Sequence, residues 1–149
     1  MDQIYDMISV DRIKIIEAKD KESALKEIVG LLSTAGSIRD KQEFEKAIMD
    51  REKILSTSIG IGIAIPHVRL DSVTDITIAI GVLKKGIDYE SFDGQPVNII
   101  IMIASPSGAH REYLRTLAKI ALFLKNPTLR NKILSAETPG EIYAAMKGL

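Results

Sequence analysis

The chain has 149 residues, enough to bury one ordinary hydrophobic core and cramped for two domains. Twenty Lys and Arg balance twenty Asp and Glu, so the net charge offers no footing for nucleic acid or an anionic membrane surface. The absence of cysteine excludes disulfides, thiolate chemistry and the common zinc frameworks.

The N-terminal stretch 1–10 lacks a basic segment followed by an apolar one, so it does not read as a signal peptide. The longest apolar runs, 76–83 and 97–104, fall well short of the ~20 residues that cross a bilayer. A cytoplasmic protein is expected.

In chain order, the β-branched run 13–17 predicts a first strand, and Lys14 places it at a sheet edge. Ser23 is the expected N-cap of a helix in which Leu25, Ile28, Val29, Leu31 and Leu32 recur at helical spacing and which Gly36 stops. Asp40 opens a second helix with Phe44, Ala47, Ile48 and Leu55 on one side and Arg51 near its end. Ile61, Ile63 and Ile65 alternate with Gly62 and Ala64 as a strand, and Pro66, without an amide hydrogen, closes it. The runs 76–83 and 97–104 are apolar on both faces, as strands inside a covered sheet are. Between them, Lys84-Lys85-Gly86 predicts a turn and 88–96 a connection, with a short paired segment at 87–89. Ser107 is the expected N-cap of a helix burying Leu114, Leu117, Ala118, Ala121 and Leu124, and two shorter helices at 127–134 and 139–147 complete the chain. Strands alternating with helices predict an α/β fold: a single domain with a mixed β-sheet covered by helices on both faces.

The chemistry concentrates in residues 51–69, R-E-K-I-L-S-T-S-I-G-I-G-I-A-I-P-H-V-R, around His67. On its own, a histidine at a strand end is more often a hydrogen-bonded structural residue than a nucleophile. The context changes that: Gly60 and Gly62 remove side chains that would keep an anionic group from the main chain, and Arg51 and Arg69 bracket the imidazole with charged forks suited to phosphate or carboxylate. A phosphoryl acceptor needs one unprotonated ring nitrogen aimed at the donor, with its proton held on the other by a fixed acceptor, and a strand-end carbonyl can serve. Other chemistries fit less well. No Lys-Ser/Thr pair follows the glycines, and Ile65 stands where a dinucleotide fingerprint has its third glycine. Two histidines with Asp71 or Asp93 make no metal spacing, and Ser56, Thr57 and Ser58 lack a nucleophile elbow and read as turn and strand-entry residues. His110, in the first turn of a helix after an apolar strand, has two readings. If the two strands are parallel neighbours it shares the His67 pocket, as a donor and a second cation that keeps His67 neutral; otherwise it is a solvent-exposed helix-start residue.

Arg51-Glu52, Ser56-Thr57, G-I-G-I-A-I-P-H at 60–67, D-Y-E-S-F-D-G-Q-P-V at 88–97 and the helix after His110 together resemble the enzyme IIA domains of the bacterial sugar phosphotransferase system, fructose/mannitol type, across nearly the whole chain. The resemblance implies one type 2 IIA domain over residues 1–149. In it His67 takes a phosphoryl group from the histidine phosphocarrier protein HPr and passes it to an enzyme IIB domain. No cofactor is implied beyond a transient phosphohistidine. The membrane enzyme IIC would be served only indirectly, and the sugar it carries is not written in this chain. The resemblance carries His67 and Arg51 over directly. It departs at the helix, where relatives often place a second active-site histidine before H-L-x-x-L: here Tyr113 stands in that slot and His110 comes one turn earlier. Residues around His67, such as Ile59, Ile61 or Val68, are expected either at the partner surface or in the core. Nitrogen-type members of the same family offer the alternative role, a regulator whose targets depend on its phosphorylation state.

Overall fold

The computed structural model describes residues 4–148, so the first three residues of the N-terminal stretch and Leu149 lie outside it. After two short 3-10 turns come β1 (Ile13–Ile15), α1 (Lys21–Leu32), α2 (Lys41–Ile54), β2 (Ser58–Gly60), β3 (Ile63–Ala64) and β4 (His67–Leu70). The chain continues with β5 (Thr77–Ile87), β6 (Val97–Pro106), α3 (His110–Phe123), α4 (Pro127–Ser135) and α5 (Pro139–Ala145). The six strands form one mixed sheet in the order β1-β5-β6-β3-β2, with β4 also on β6. β1 lies at the edge, parallel to β5; β5 and β6 are antiparallel; β3 and β4 both run parallel to β6.

Strand alternation sorts the core into two layers. Ile63, Ile65, Ile78, Ile80, Ile99, Ile101 and Ile103 pack under Ile120, Leu129, Ile133 and Ile142 of α3, α4 and α5 and under Leu124, the C-cap of α3. On the other face Ala64, Ala79, Ile100, Met102 and Ala104 meet Leu25, Ile28, Leu32, Phe44 and Ile48 of α1 and α2. Gly81 lets α1 settle close to the sheet, since a Cβ there would stand 2.7 Å from Ile28 Cδ1. The expected α/β fold, with its mixed sheet covered on both faces, is therefore the observed one. Among the described residues no helix is long and apolar enough to cross a membrane.

Local expectations needed correction where side chains compete for the same backbone group. The cap of α1 is Asp20, whose Oδ1 accepts from Ser23 N at 2.8 Å, so Ser23 sits inside the first turn. α1 also ends before Gly36, in a turn where Ala35 N–H donates to Leu32 O. α3 starts without a side-chain cap, because a turn closed by Ala109 N–H to Pro106 O leaves Ser107 upstream of the helix amides. The buried side of α3 is Tyr113, Thr116 and Ile120, while Leu114 is half exposed; Thr116 tolerates burial by donating its hydroxyl to Glu112 O. Leu55, expected on the buried side of α2, lies past the helix and is exposed. Lys84, Lys85 and Gly86 do not turn the chain: β5 runs through them to Ile87, and the register shift that absorbs them uses a left-handed Gly86, φ 70°.

Two corrections concern the neighbourhood of His67. The segment 61–65 is not one alternating strand: Ile61 and Gly62, with φ of 54° and 80°, form the turn of a tight β2–β3 hairpin. Pro66 interrupts the ladder on β6 without ending it. Ile103 N–H donates to Pro66 O, and pairing resumes at His67 opposite Ile103, so His67 opens β4 and does not close a strand.

Candidate functional site

Three elements meet around His67. β4 carries His67 and, two residues on along the same face, Arg69; the last turns of α2 bring Arg51; the first turn of α3 brings Tyr113. Together with Ala47, Val68, Leu70 and Ser107 they line a surface depression of about 420 Å³.

The imidazole of His67 is half-buried, and its Nδ1 lies 2.6 Å from Ile65 O. A carbonyl only accepts, so Nδ1 carries the hydrogen and Nε2 keeps a free lone pair. Burial holds the His67 pKa below the ordinary histidine value; the Ile65 bond opposes this, Arg51 adds to it, and Glu52 opposes it. The ring is therefore neutral near pH 7, as a nucleophile must be. Tyr113 packs against it at a tilt of 55° with ring centroids 5.7 Å apart, and the Arg69 guanidinium lies over the Tyr113 ring, 5.3 Å from its centroid. Burial raises the Tyr113 pKa, against the pull of Arg69 and Arg51, so its hydroxyl stays protonated and able to donate. Arg51 donates from Nη1 to Leu55 O at 2.7 Å, which tethers the guanidinium to the end of its own helix.

His110 is placed differently from the shared-pocket expectation. Its Nδ1 accepts from Arg69 Nη1 at 2.8 Å, and the ring lines a neighbouring cavity of about 380 Å³ with Arg111, Arg115 and Lys119. Arg69 has only hydrogens to give, so His110 meets it as a neutral acceptor and not as a second cation. The cation that lowers the His67 pKa is Arg51.

Gly60 and Gly62 do not line the depression. They serve the hairpin turn at φ 82° and 80°, where a Cβ on Gly60 would come 3.1 Å from the Phe92 ring and one on Gly62 3.3 Å from Asn98 Oδ1. Asp93 accepts from Ile61 N at 3.0 Å and holds that turn. Of the apolar neighbours, Ile61 is half exposed, while Ile59 and Val68 pack against the core.

Sequence reasoning missed a polar cluster behind the site. Glu52 is only 7% exposed; its Oε1 accepts from Thr57 N and pairs with Lys21, and its Oε2 accepts from Thr57 Oγ1. The signal was present, since Glu52 follows Phe44 and Ile48 at four-residue steps on the buried face of α2.

Comparison with known proteins agrees with this architecture. Residues 6–148 match the family model of the phosphoenolpyruvate-dependent sugar phosphotransferase system, EIIA 2. A fructose-specific EIIABC component of the phosphotransferase system from Bacillus subtilis is 40% identical over 141 residues; the match covers 94% of this chain and 22% of that protein, so the chain spans about a fifth of that relative's length. Nitrogen regulatory protein IIA-Ntr from Neisseria meningitidis superposes with a TM-score of 0.88 at 26% identity, covering 95% of this chain and 97% of that one. A complex of enzyme IIA mannitol with phosphorylated enzyme IIB mannitol from Escherichia coli contains the same fold, with a TM-score of 0.83 at 19% identity over 95% of this chain and 98% of that one. A two-faced mixed sheet carrying the P-H dipeptide, together with a family match over nearly its full length, establishes that the chain belongs to the type 2 EIIA family of the phosphoenolpyruvate-dependent sugar phosphotransferase system.

Proposed function

We propose that this chain is a cytoplasmic phosphocarrier whose acceptor is Nε2 of His67. The observation that carries the reading is the bond from Nδ1–H to Ile65 O, which leaves Nε2 unprotonated on a ring that lines the same depression as Arg51 and Arg69. The Nε2 lone pair forms the N–P bond while the donor's N–P bond breaks and its electrons return to the donor imidazole. The proton stays on Nδ1, donated in its hydrogen bond to Ile65 O, throughout. Such a transfer asks the protein for alignment and for cations near the equatorial oxygens, with no covalent chemistry beyond the nucleophile. Arg51 and Arg69 are suited to that charge, and the Tyr113 hydroxyl is a neutral donor lining the same depression. The donor is an HPr-like phosphocarrier and the acceptor an enzyme IIB domain, in keeping with the IIA–IIB complex that shares this fold and with the fructose-specific relative.

A second reading, a nitrogen-type regulator whose partners depend on phosphorylation, draws support from the IIA-Ntr neighbour, which this chain matches nearly end to end. Both use the same histidine, and the next acceptor separates them. Incubation with labelled phosphoenolpyruvate, enzyme I and HPr should label wild-type protein and leave His67→Ala unlabelled; full labelling of the variant would refute the assignment. Onward transfer to a fructose- or mannitol-type IIB supports the transport role, and retention of label with all such IIB domains supports the regulatory one.

A further inference from the structure

Behind the depression, hydrogen bonds joined through the backbones of Thr57 and Ile65 connect a buried carboxylate to the ring of His67. Glu52 Oε1 accepts from Thr57 N at 2.8 Å and lies 3.0 Å from Lys21 Nζ, while Oε2 accepts from Thr57 Oγ1 at 2.7 Å. Having donated its hydrogen to Glu52, the Thr57 hydroxyl accepts from Tyr89 Oη at 3.0 Å, and Tyr89 is fully buried. The carbonyl of Thr57 accepts from Ile65 N at 3.1 Å, and the carbonyl of Ile65 accepts from His67 Nδ1 at 2.6 Å.

The segment that carries this last carbonyl is held on every side. Ile65 precedes a proline, which restricts its backbone to extended conformations; its side chain is in the core; and Ile103 N–H donates to Pro66 O at 2.9 Å. Thr57 supplies the remaining restraint, and Glu52 orients Thr57 through both its amide and its hydroxyl. Merely tying the end of α2 to the sheet does not call for a buried carboxylate, because a well-packed apolar side chain there would do so without burying a charge. A carboxylate that accepts two bonds from one residue sets that residue's orientation, which packing alone does not.

We propose that Glu52 is a positioning residue for phosphoryl acceptance: through Thr57 and Ile65 it aims the carbonyl that keeps the His67 proton on Nδ1 and Nε2 free. The proposal rests on His67 being the acceptor. Its chemistry is indirect, since Glu52 lies outside the group of residues lining the depression.

The test uses the full chain with 15N-labelled histidine. Ring-nitrogen shifts, read at a pH where His67 is neutral, report the tautomer, and labelled HPr reports the maximal rate and the half-saturating phosphocarrier concentration. Wild type should show one tautomer, with hydrogen on Nδ1. In Glu52→Gln the ring should become a mixture of tautomers and the maximal rate should fall by about tenfold, the value of one neutral hydrogen bond, with half-saturation unchanged because Glu52 does not touch the partner. Thr57→Val should behave similarly and Thr57→Ser should recover, and this pair decides the matter if Glu52→Gln does not fold. Folded Glu52→Gln with a wild-type tautomer and rate would overturn the proposal, as would a loss confined to half-saturation. Label on His67→Ala would instead remove the acceptor assignment, whatever the tautomer of the wild type.

Discussion

Replacing Arg51 separates its charge from its shape. In Arg51→Gln both are lost; in Arg51→Lys the charge remains without the fork. Three magnitudes follow from where the guanidinium sits. The bond to Leu55 O lies at the solvent-facing end of α2, where a cation on the last turn contributes about 0.3–1 kcal/mol, so Arg51→Gln should melt only a few degrees lower, at ~2–4 °C per kcal/mol for a chain of this size, and Arg51→Lys, which keeps the cation, closer to wild type. A charge-assisted hydrogen bond to a phosphoryl oxygen contributes about 1.5–3 kcal/mol, so its loss should slow acceptance from HPr by about 10- to 100-fold. Arg51 also holds the His67 pKa down, so Arg51→Gln should raise the imidazole titration while Arg51→Lys leaves it nearly in place. Stopped-flow transfer, an NMR titration of His67 and a thermal melt read the three effects separately. Transfer within twofold of wild type, with an unmoved titration in folded Arg51→Gln, would show that the guanidinium faces its own helix end and not the phosphoryl group.

The packing of Tyr113 against His67 predicts that Tyr113→Ala, which uncovers the imidazole, raises the His67 pKa toward the ordinary value and slows transfer more than His110→Ala does; equal effects in the NMR titration, or the reverse order, would restore the shared-histidine pocket. Stability should carry the same pKa. The folded value is depressed, so the unfolded chain takes up the proton first: the stabilisation is complete above the unfolded pKa of ~6.5, is lost as the pH falls toward the folded value, and levels off below it. Urea midpoints of wild type should therefore fall relative to those of His67→Gln across that window, and parallel curves would contradict the assigned burial. Gly60→Ala places a Cβ at φ 82° against the Phe92 ring and should lower stability by more than ~1 kcal/mol in urea, while the folded fraction accepts phosphate at the wild-type rate; slow transfer without destabilisation would mean that the glycine faces the phosphoryl group after all.

What the sequence determined by itself was set by local pattern. The apolar runs that became β5 and β6, the amphipathic helices, and the P-H dipeptide between two arginines were all legible, because alternation, helical spacing and proline's missing amide act within a few residues. The errors fall where two local preferences compete and a distant contact decides. Ile61, Ile63 and Ile65 alternate as well as any strand, yet Asp93, from the β5–β6 connection, takes the Ile61 amide and folds the segment into a hairpin. Lys84, Lys85 and Gly86 look like a turn, yet β6 supplies partners on both sides and a left-handed glycine absorbs the mismatch. His67 stood out as a candidate from its neighbours in the chain, whereas its tautomer depends on the direction of one carbonyl, held by the bonds of Ile65 N to Thr57 O and of Ile103 N to Pro66 O. The choice between Tyr113 and His110 was beyond the sequence for a similar reason. They stand three residues apart on one helix, and only the docking of α3 on the sheet directs one ring to His67 and leaves the other to Arg69.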